Sequence, residues 1–150
     1  MAGLWFDEFK VGRVFEHEIR RTVTEGDNMW FSNATYNPAS IHIDAEYCKG
    51  TEFGKPLMNS IFSLGLVIGL SVQDTTLGTT VANLGMTDVR FAHPVFAGDT
   101  LRSRTTVMEV RASKSRPNAG IVTFLHQGFN QKDQEVVTCT RQALMLRKAA

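Results

Sequence analysis

The segment Tyr36-Asn37-Pro38-Ala39-Ser40-Ile41-His42-Ile43-Asp44 sets one imidazole among small and apolar neighbours, five positions after a carboxamide. An unperturbed histidine titrates near 6.5, so His42 is able to take and return a proton close to neutrality. Asn37 cannot act as a base, but a carboxamide can hold a water through its oxygen and its NH2 group. Asp44 adds a carboxylate two positions on, yet it stands just before Ala45-Glu46-Tyr47-Cys48-Lys49-Gly50, where capping a short helix explains it better than catalysis. The other three histidines read as structural. His17 and His126 fall in strand patterns, and His93 precedes Pro94 in a turn.

A second feature with chemical reach is Met58-Asn59-Ser60-Ile61, at the start of an apolar run. Either Asn59 or Ser60 suits the cap of a helix beginning there. The first turn of such a helix offers unpaired N–H groups and a positive dipole end, which stabilise a developing oxyanion. The turn Ser113-Lys114-Ser115-Arg116-Pro117 carries two cations. Turn cations are usually solvated, but Lys114 or Arg116 could pair with a phosphate or carboxylate.

Residues Arg13 to Val23 alternate as a first strand, and Thr24-Glu25-Gly26-Asp27 has the spacing of a helix start, which predicts a helix over 27–36. Met29, Trp30 and Phe31 give that helix apolar bulk, with core packing the expected place for Trp30. Ile61 to Val72 is apolar on nearly every side, and so demands cover all round. Gly65 and Gly69 share one of its faces, where a sheet could approach closely. Four long strands then follow, over 79–91, 100–112, 120–130 and 135–147, joined by short polar turns that imply antiparallel pairing. The pattern predicts one α+β domain over 1–150, a curved antiparallel sheet wrapped around a long central apolar helix.

Composition narrows the function classes. A net charge of +1 gives no sign of a nucleic-acid groove or of attraction to a membrane surface. Cys48 and Cys139 form no CxxC and no His/Cys cluster, which predicts no metal site and no disulfide framework. The opening Met-Ala-Gly-Leu-Trp-Phe-Asp-Glu lacks a signal-peptide pattern. A cytoplasmic or equivalent reducing location is expected.

Three stretches resemble the MaoC-like dehydratase or (R)-specific enoyl-CoA hydratase family, which has the hotdog fold. They are Phe6-Asp7-Glu8-Phe9-Lys10-Val11-Gly12, the segment ending His42-Ile43-Asp44, and Phe91-Ala92-His93-Pro94-Val95-Phe96-Ala97-Gly98-Asp99-Thr100-Leu101. The last is similar to the family's F-x-x-P-V-x-x-G-D-T-L turn. The middle one lies where the family reads T-G-D-x-N-P-L-H-x-D. Aligned without gaps on His42, Asn37 takes the place of the family's catalytic Asp, and Ala39-Ser40 replaces its Asn-Pro. Asn59 likewise stands for the His, and Ser60 for the Gly, of a His-Gly pair whose backbone N–H serves as oxyanion donor.

The resemblance implies hydration or dehydration across the C2–C3 bond of an enoyl-CoA thioester. His42 would be acid and base, Asn37 would hold water, Ser60 would supply the oxyanion hole, and Tyr36, Asn59, Lys114 and Arg116 would touch substrate. A related subgroup points to short branched or dicarboxylic acyl groups of the mesaconyl or itaconyl type. No cofactor is implied beyond the CoA of the substrate. Two alternatives stay open: a non-catalytic subunit that binds acyl thioesters, and an acyl-CoA thioesterase, against which the absence of Asp and Glu from 60–72 counts. The family pairs protomers edge to edge, so the expected partners are the acyl-CoA substrate and a second copy, as a homodimer or an assembly of dimers.

Overall fold

The computed structural model describes residues 3–149. A single 3-10 turn at Phe6–Glu8 leads into β1 (Val14–Glu16) and β2 (Arg21–Thr22). Four helices follow: α1 (Glu25–Ala34), α2 (Ser40–Ile43), α3 (Ala45–Cys48) and α4 (Ser60–Thr75). The chain ends in β3 (Thr80–Arg90), β4 (Thr100–Ala112), β5 (Ala119–Phe129) and β6 (Glu135–Leu146). The sheet is antiparallel and open, with order β1-β4-β5-β6-β3, and β2 pairs with β4 beside β1. The predicted α+β class and the four long strands hold.

The predicted first strand is split. From Glu16 to Arg21 the chain takes five steps, while its partner β4 takes three from Arg104 to Leu101. The surplus residues bulge outward as exposed Glu18, Ile19 and Arg20, while His17 turns inward.

Helix α4 packs Leu64, Val67 and Leu70 onto the sheet, each such burial stabilising the fold by about 1.5–3 kcal/mol. The close approach is made by a glycine of the sheet rather than of the helix. A Cβ on Gly128 of β5 would lie 2.4 Å from Cγ2 of Val67. Gly65 and Gly69 have open space around them, and with Ile61 they leave one stripe of α4 uncovered. Both cysteines are buried and free. Among the described residues no helix is long and apolar enough to cross a membrane, and no group of three His, Cys, Asp or Glu side chains is placed to hold a metal ion.

A buried hydrogen-bonded chain runs across the inner face of the sheet. Arg141 of β6 donates from Nη1 to Asn83 of β3 at 2.6 Å and from Nε to His126 Nε2 at 3.0 Å. A guanidinium only donates, so His126 carries its proton on Nδ1 and gives it to Thr105 Oγ1 at 2.9 Å. The Thr105 hydroxyl then donates to His17 Nε2 at 2.9 Å, and His17 Nδ1 donates to Asp74 at 2.7 Å, near the end of α4. The buried Arg141 cation and the Asp74 carboxylate are thus linked through His126, Thr105 and His17. Burial pushes the His126 pKa down to about 3, with the Arg141 charge and then His17 adding to the effect.

Because His126 stays neutral when folded, the unfolded chain binds a proton below about pH 6.5 that the folded chain refuses until about pH 3. Stability is therefore fully present above the unfolded pKa and falls as pH drops through that window. His126→Gln keeps an acceptor for Arg141 and a donor for Thr105. Its unfolding free energy, measured in urea at about pH 7 and again at about pH 4, should fall less than that of the wild type.

Candidate active site

The site grows from the junction of three helices. Thr24 and Asp27 form the predicted capping box of α1, with Asp27 N–H donating to Thr24 Oγ1 at 3.2 Å and Thr24 N–H to Asp27 Oδ2 at 2.9 Å. Burial works to raise the Asp27 pKa, but hydrogen bonds from Arg21 and Thr24 bring it below the usual carboxylate value. The box fixes the first turn of α1, and the next residue, Asn28, points into the interior at 3% exposure. Asn28 Nδ2 donates to the carbonyls of His42 (2.9 Å) and Leu57 (3.0 Å), and its Oδ1 accepts from Asn59 N–H (2.9 Å). One carboxamide joins α1, α2 and the entry to α4.

His42 sits on α2, half-buried, with Nδ1 2.7 Å from the Leu57 carbonyl. A carbonyl only accepts, so the proton is on Nδ1 and the Nε2 lone pair is left without a partner among the described residues. The Leu57 peptide grips α2 a second time, its N–H donating to Ile41 O at 2.9 Å. That imidazole opens on a cavity of about 170 Å³ lined by Glu25, Asn28, Met29, Ile43, Lys55 and Ala97, among others. Ser60 heads α4, and its N–H has no acceptor among the described residues. It lines a second cavity, of about 230 Å³, together with Leu57 and Met58. Leu57, whose carbonyl holds the His42 ring, lines this second cavity, and the preceding Pro56 lines the first.

The Phe91–Leu101 motif earns its place through the backbone. Met58 N–H donates to Val95 O at 2.8 Å, Val23 N–H to Asp99 O at 2.9 Å, and Phe96 N–H to Asp99 Oδ2 at 2.9 Å. Gly98, at φ 96°, permits the turn. These contacts fix the segment before α4 against the sheet.

Other sequence-predicted residues are placed differently. Asn59 is the α4 cap and is 4% exposed, its Oδ1 accepting from Ile61 N–H and its Nδ2 3.4 Å from Ser32 Oγ, so its side chain is occupied and turned away from any substrate. Asn37 is half-buried, and its Oδ1 accepts from Ala39 N–H at 3.1 Å, which leaves only its NH2 group free among the described residues. Tyr36 holds a left-handed φ of 54° and is 95% exposed, so it lines no pocket within this chain. Trp30, expected in the core, is 68% exposed. Lys114 and Arg116 lie exposed beyond the far end of β4, separated from the site by its 13 residues, roughly 40 Å of strand. The cation at the His42 cavity is Lys55, whose Nζ lies 4.4 Å from the Phe96 ring centroid. Neither Lys55 nor Asn28 stands out in the sequence, and nothing local marks an asparagine as a hub.

The comparisons with known proteins agree with this geometry. The family model of the MaoC-like domain matches residues 8–129. The mesaconyl-CoA hydratase of Cereibacter sphaeroides is 32% identical over 149 residues, covering 98% of this chain and 42% of that protein. The β-methylmalyl-CoA dehydratase of Chloroflexus aurantiacus is 29% identical over 146 residues, covering 97% of this chain and 41% of that one. The chain thus spans about two-fifths of the length of these relatives. The crystal structure of a MaoC-like dehydratase from Rhodospirillum rubrum superposes with a TM-score of 0.86 at 26% identity, over 99% of this chain and 100% of that one. With its long helix α4 cradled by a curved antiparallel sheet, the chain belongs to the MaoC-like domain family and has the hotdog fold.

Proposed function

We propose that the protein is a hydratase, or in reverse a dehydratase, of enoyl-CoA thioesters, with short branched or dicarboxylic acyl groups of the mesaconyl type as substrates. One observation carries the reading: the Leu57 carbonyl holds the His42 proton on Nδ1, so Nε2 keeps a free lone pair on a ring that lines a cavity with Asn28 and Lys55. A thioester laid along 57–60 reaches both His42 and the unpaired Ser60 N–H. Water held by the Asn37 NH2 group loses a proton to Nε2 as its oxygen bonds to C3. The C2–C3 electron pair shifts toward the thioester oxygen, where Ser60 N–H and the dipole of α4 stabilise the enolate. The imidazolium then returns its proton to C2, so one H and one OH have been added.

The carboxamide at position 37 favours a second reading, a subunit that binds acyl thioesters without turning them over. The names of the relatives, given to proteins more than twice this length, support the first. His42→Ala should lower kcat for hydration by about 10²–10⁴-fold, the range of general acid–base catalysis, with circular dichroism unchanged. Asn37→Asp keeps the acceptor for Ala39 N–H. Its kcat/KM should stay within about tenfold of the wild type, because the base is His42. Activity that appears only in Asn37→Asp would favour the non-catalytic subunit.

The assembly proposed is a homodimer. Every residue of β3 is exposed, including Val81, Leu84, Met86 and Val89, and the outer edge of the strand is unpaired in this sheet. An edge that long and apolar aggregates unless something covers it. A second β3 would do so and would also bring cover toward the open stripe of α4. The double substitution Leu84→Lys with Met86→Lys should convert a two-chain species to one chain in sedimentation velocity.

A further inference from the structure

The second cavity, beneath the start of α4, is walled mainly by apolar side chains such as Phe53, Met58, Val95 and Val136. Three polar residues interrupt that wall, Ser60, Ser63 and His93. Ser63 is 2% exposed, and its Oγ has no hydrogen-bond partner. Buried hydroxyls in folded proteins are almost always paired, so an unpaired one on a residue that lines a cavity points to a ligand atom. His93 donates from Nδ1 to the Glu135 carbonyl at 2.8 Å, which leaves its Nε2 without a partner among the described residues. It was read from the sequence as a turn residue, and the hydration chemistry above does not use it.

Ser63 follows Ser60 by three residues, so it lies on nearly the same face of α4, about 4.5 Å further along the axis. A thioester oxygen at the Ser60 N–H therefore places the far end of a short acyl chain beside Ser63. We propose that this cavity holds the acyl end of the substrate and that Ser63 and His93 together recognise a carboxylate there. Ser63 donates its O–H to one oxygen. His93, with a proton from solvent on Nε2, donates to the other. The ligand class is a short dicarboxylic acyl thioester, and the inference rests on the thioester placement of the hydratase reading. A chain ending in methyl would leave the buried Ser63 hydroxyl unpaired and give the exposed His93 Nε2 nothing to bind. Sites built to hydrogen-bond a group reject the analogue lacking it far more strongly than apolar pockets reject an added one.

The test is calorimetric titration of the full chain with two saturated CoA thioesters of equal carbon number, one ending in carboxylate and one in methyl. Neither can be hydrated, so binding is read apart from turnover. The wild type should favour the carboxylate form by about 10²-fold or more. Ser63→Ala and His93→Gln should each weaken that form by about tenfold and change the methyl form by less than about twofold. Wild-type binding of the two forms within about twofold, binding of neither, or equal losses for both forms in the variants would overturn the assignment. A carboxylate preference in a protein that hydrates no enoyl thioester would sink the hydratase reading and leave this site standing.

Discussion

The side chain of Asn28 is the constraint on which the site depends. Its three hydrogen bonds reach the His42 carbonyl, the Leu57 carbonyl and the Asn59 N–H, three backbone groups on separate segments. The Leu57 carbonyl it grips also fixes the His42 tautomer. A carboxamide does this well because it presents a fork of donors on one side and an acceptor on the other. An aspartate would lose both donors, and a leucine would leave the His42 carbonyl and the Asn59 N–H without this partner, each at a cost of about 1–3 kcal/mol. Placement of the imidazole is thus set from the first turn of a helix whose own start is fixed by Thr24 and Asp27.

The sheet solves a related problem on a larger scale. Its inner face is apolar where α4 lies, around Val67, Leu101 and Val137, and apolar again beneath the N-terminal turn, around Phe6, Val122 and Phe124. The polar chain from Asn83 to Asp74 crosses this interior. Phe124 lies in one cluster and also stands 5.3 Å from the Arg141 guanidinium carbon, so the cation has an aromatic face as well as hydrogen-bond acceptors. Phe6 packs so tightly on β5 that a Cβ on Gly120 would lie 2.1 Å from its ring. Only glycine admits that contact, which seats the 3-10 turn on the sheet.

Much of this was legible from the sequence. Strands β3 to β6 carry alternation long enough to be read directly, and Asn59 marks the start of α4 by its residue type. His42 stood out through its resemblance to a family segment, and the same alignment located Ser60. What escaped were features set by distant partners. Asn28 acts on residues 14 and 29 positions away. Gly65 and Gly69 mark a helix face, but an apolar helix does not say which face the sheet will take. Trp30 is bulky enough to read as core, yet α1 turns Asn28 and Ser32 inward instead. Lys114 and Arg116 looked useful by charge alone, and hairpin length then carried them to the opposite end of the sheet.

The hydrogen-bonded chain under the sheet has a donor-only head, Arg141, and an acceptor-only tail, Asp74, so a change at one end is felt along the links toward the other. The five residues therefore form one inheritance unit. A change at Arg141 that removes its Nε–H frees His126 to switch tautomer, and the disturbance passes through Thr105 and His17 to a carboxylate on another element. Descendants of this sequence should alter the two ends together or keep both, although those ends never touch.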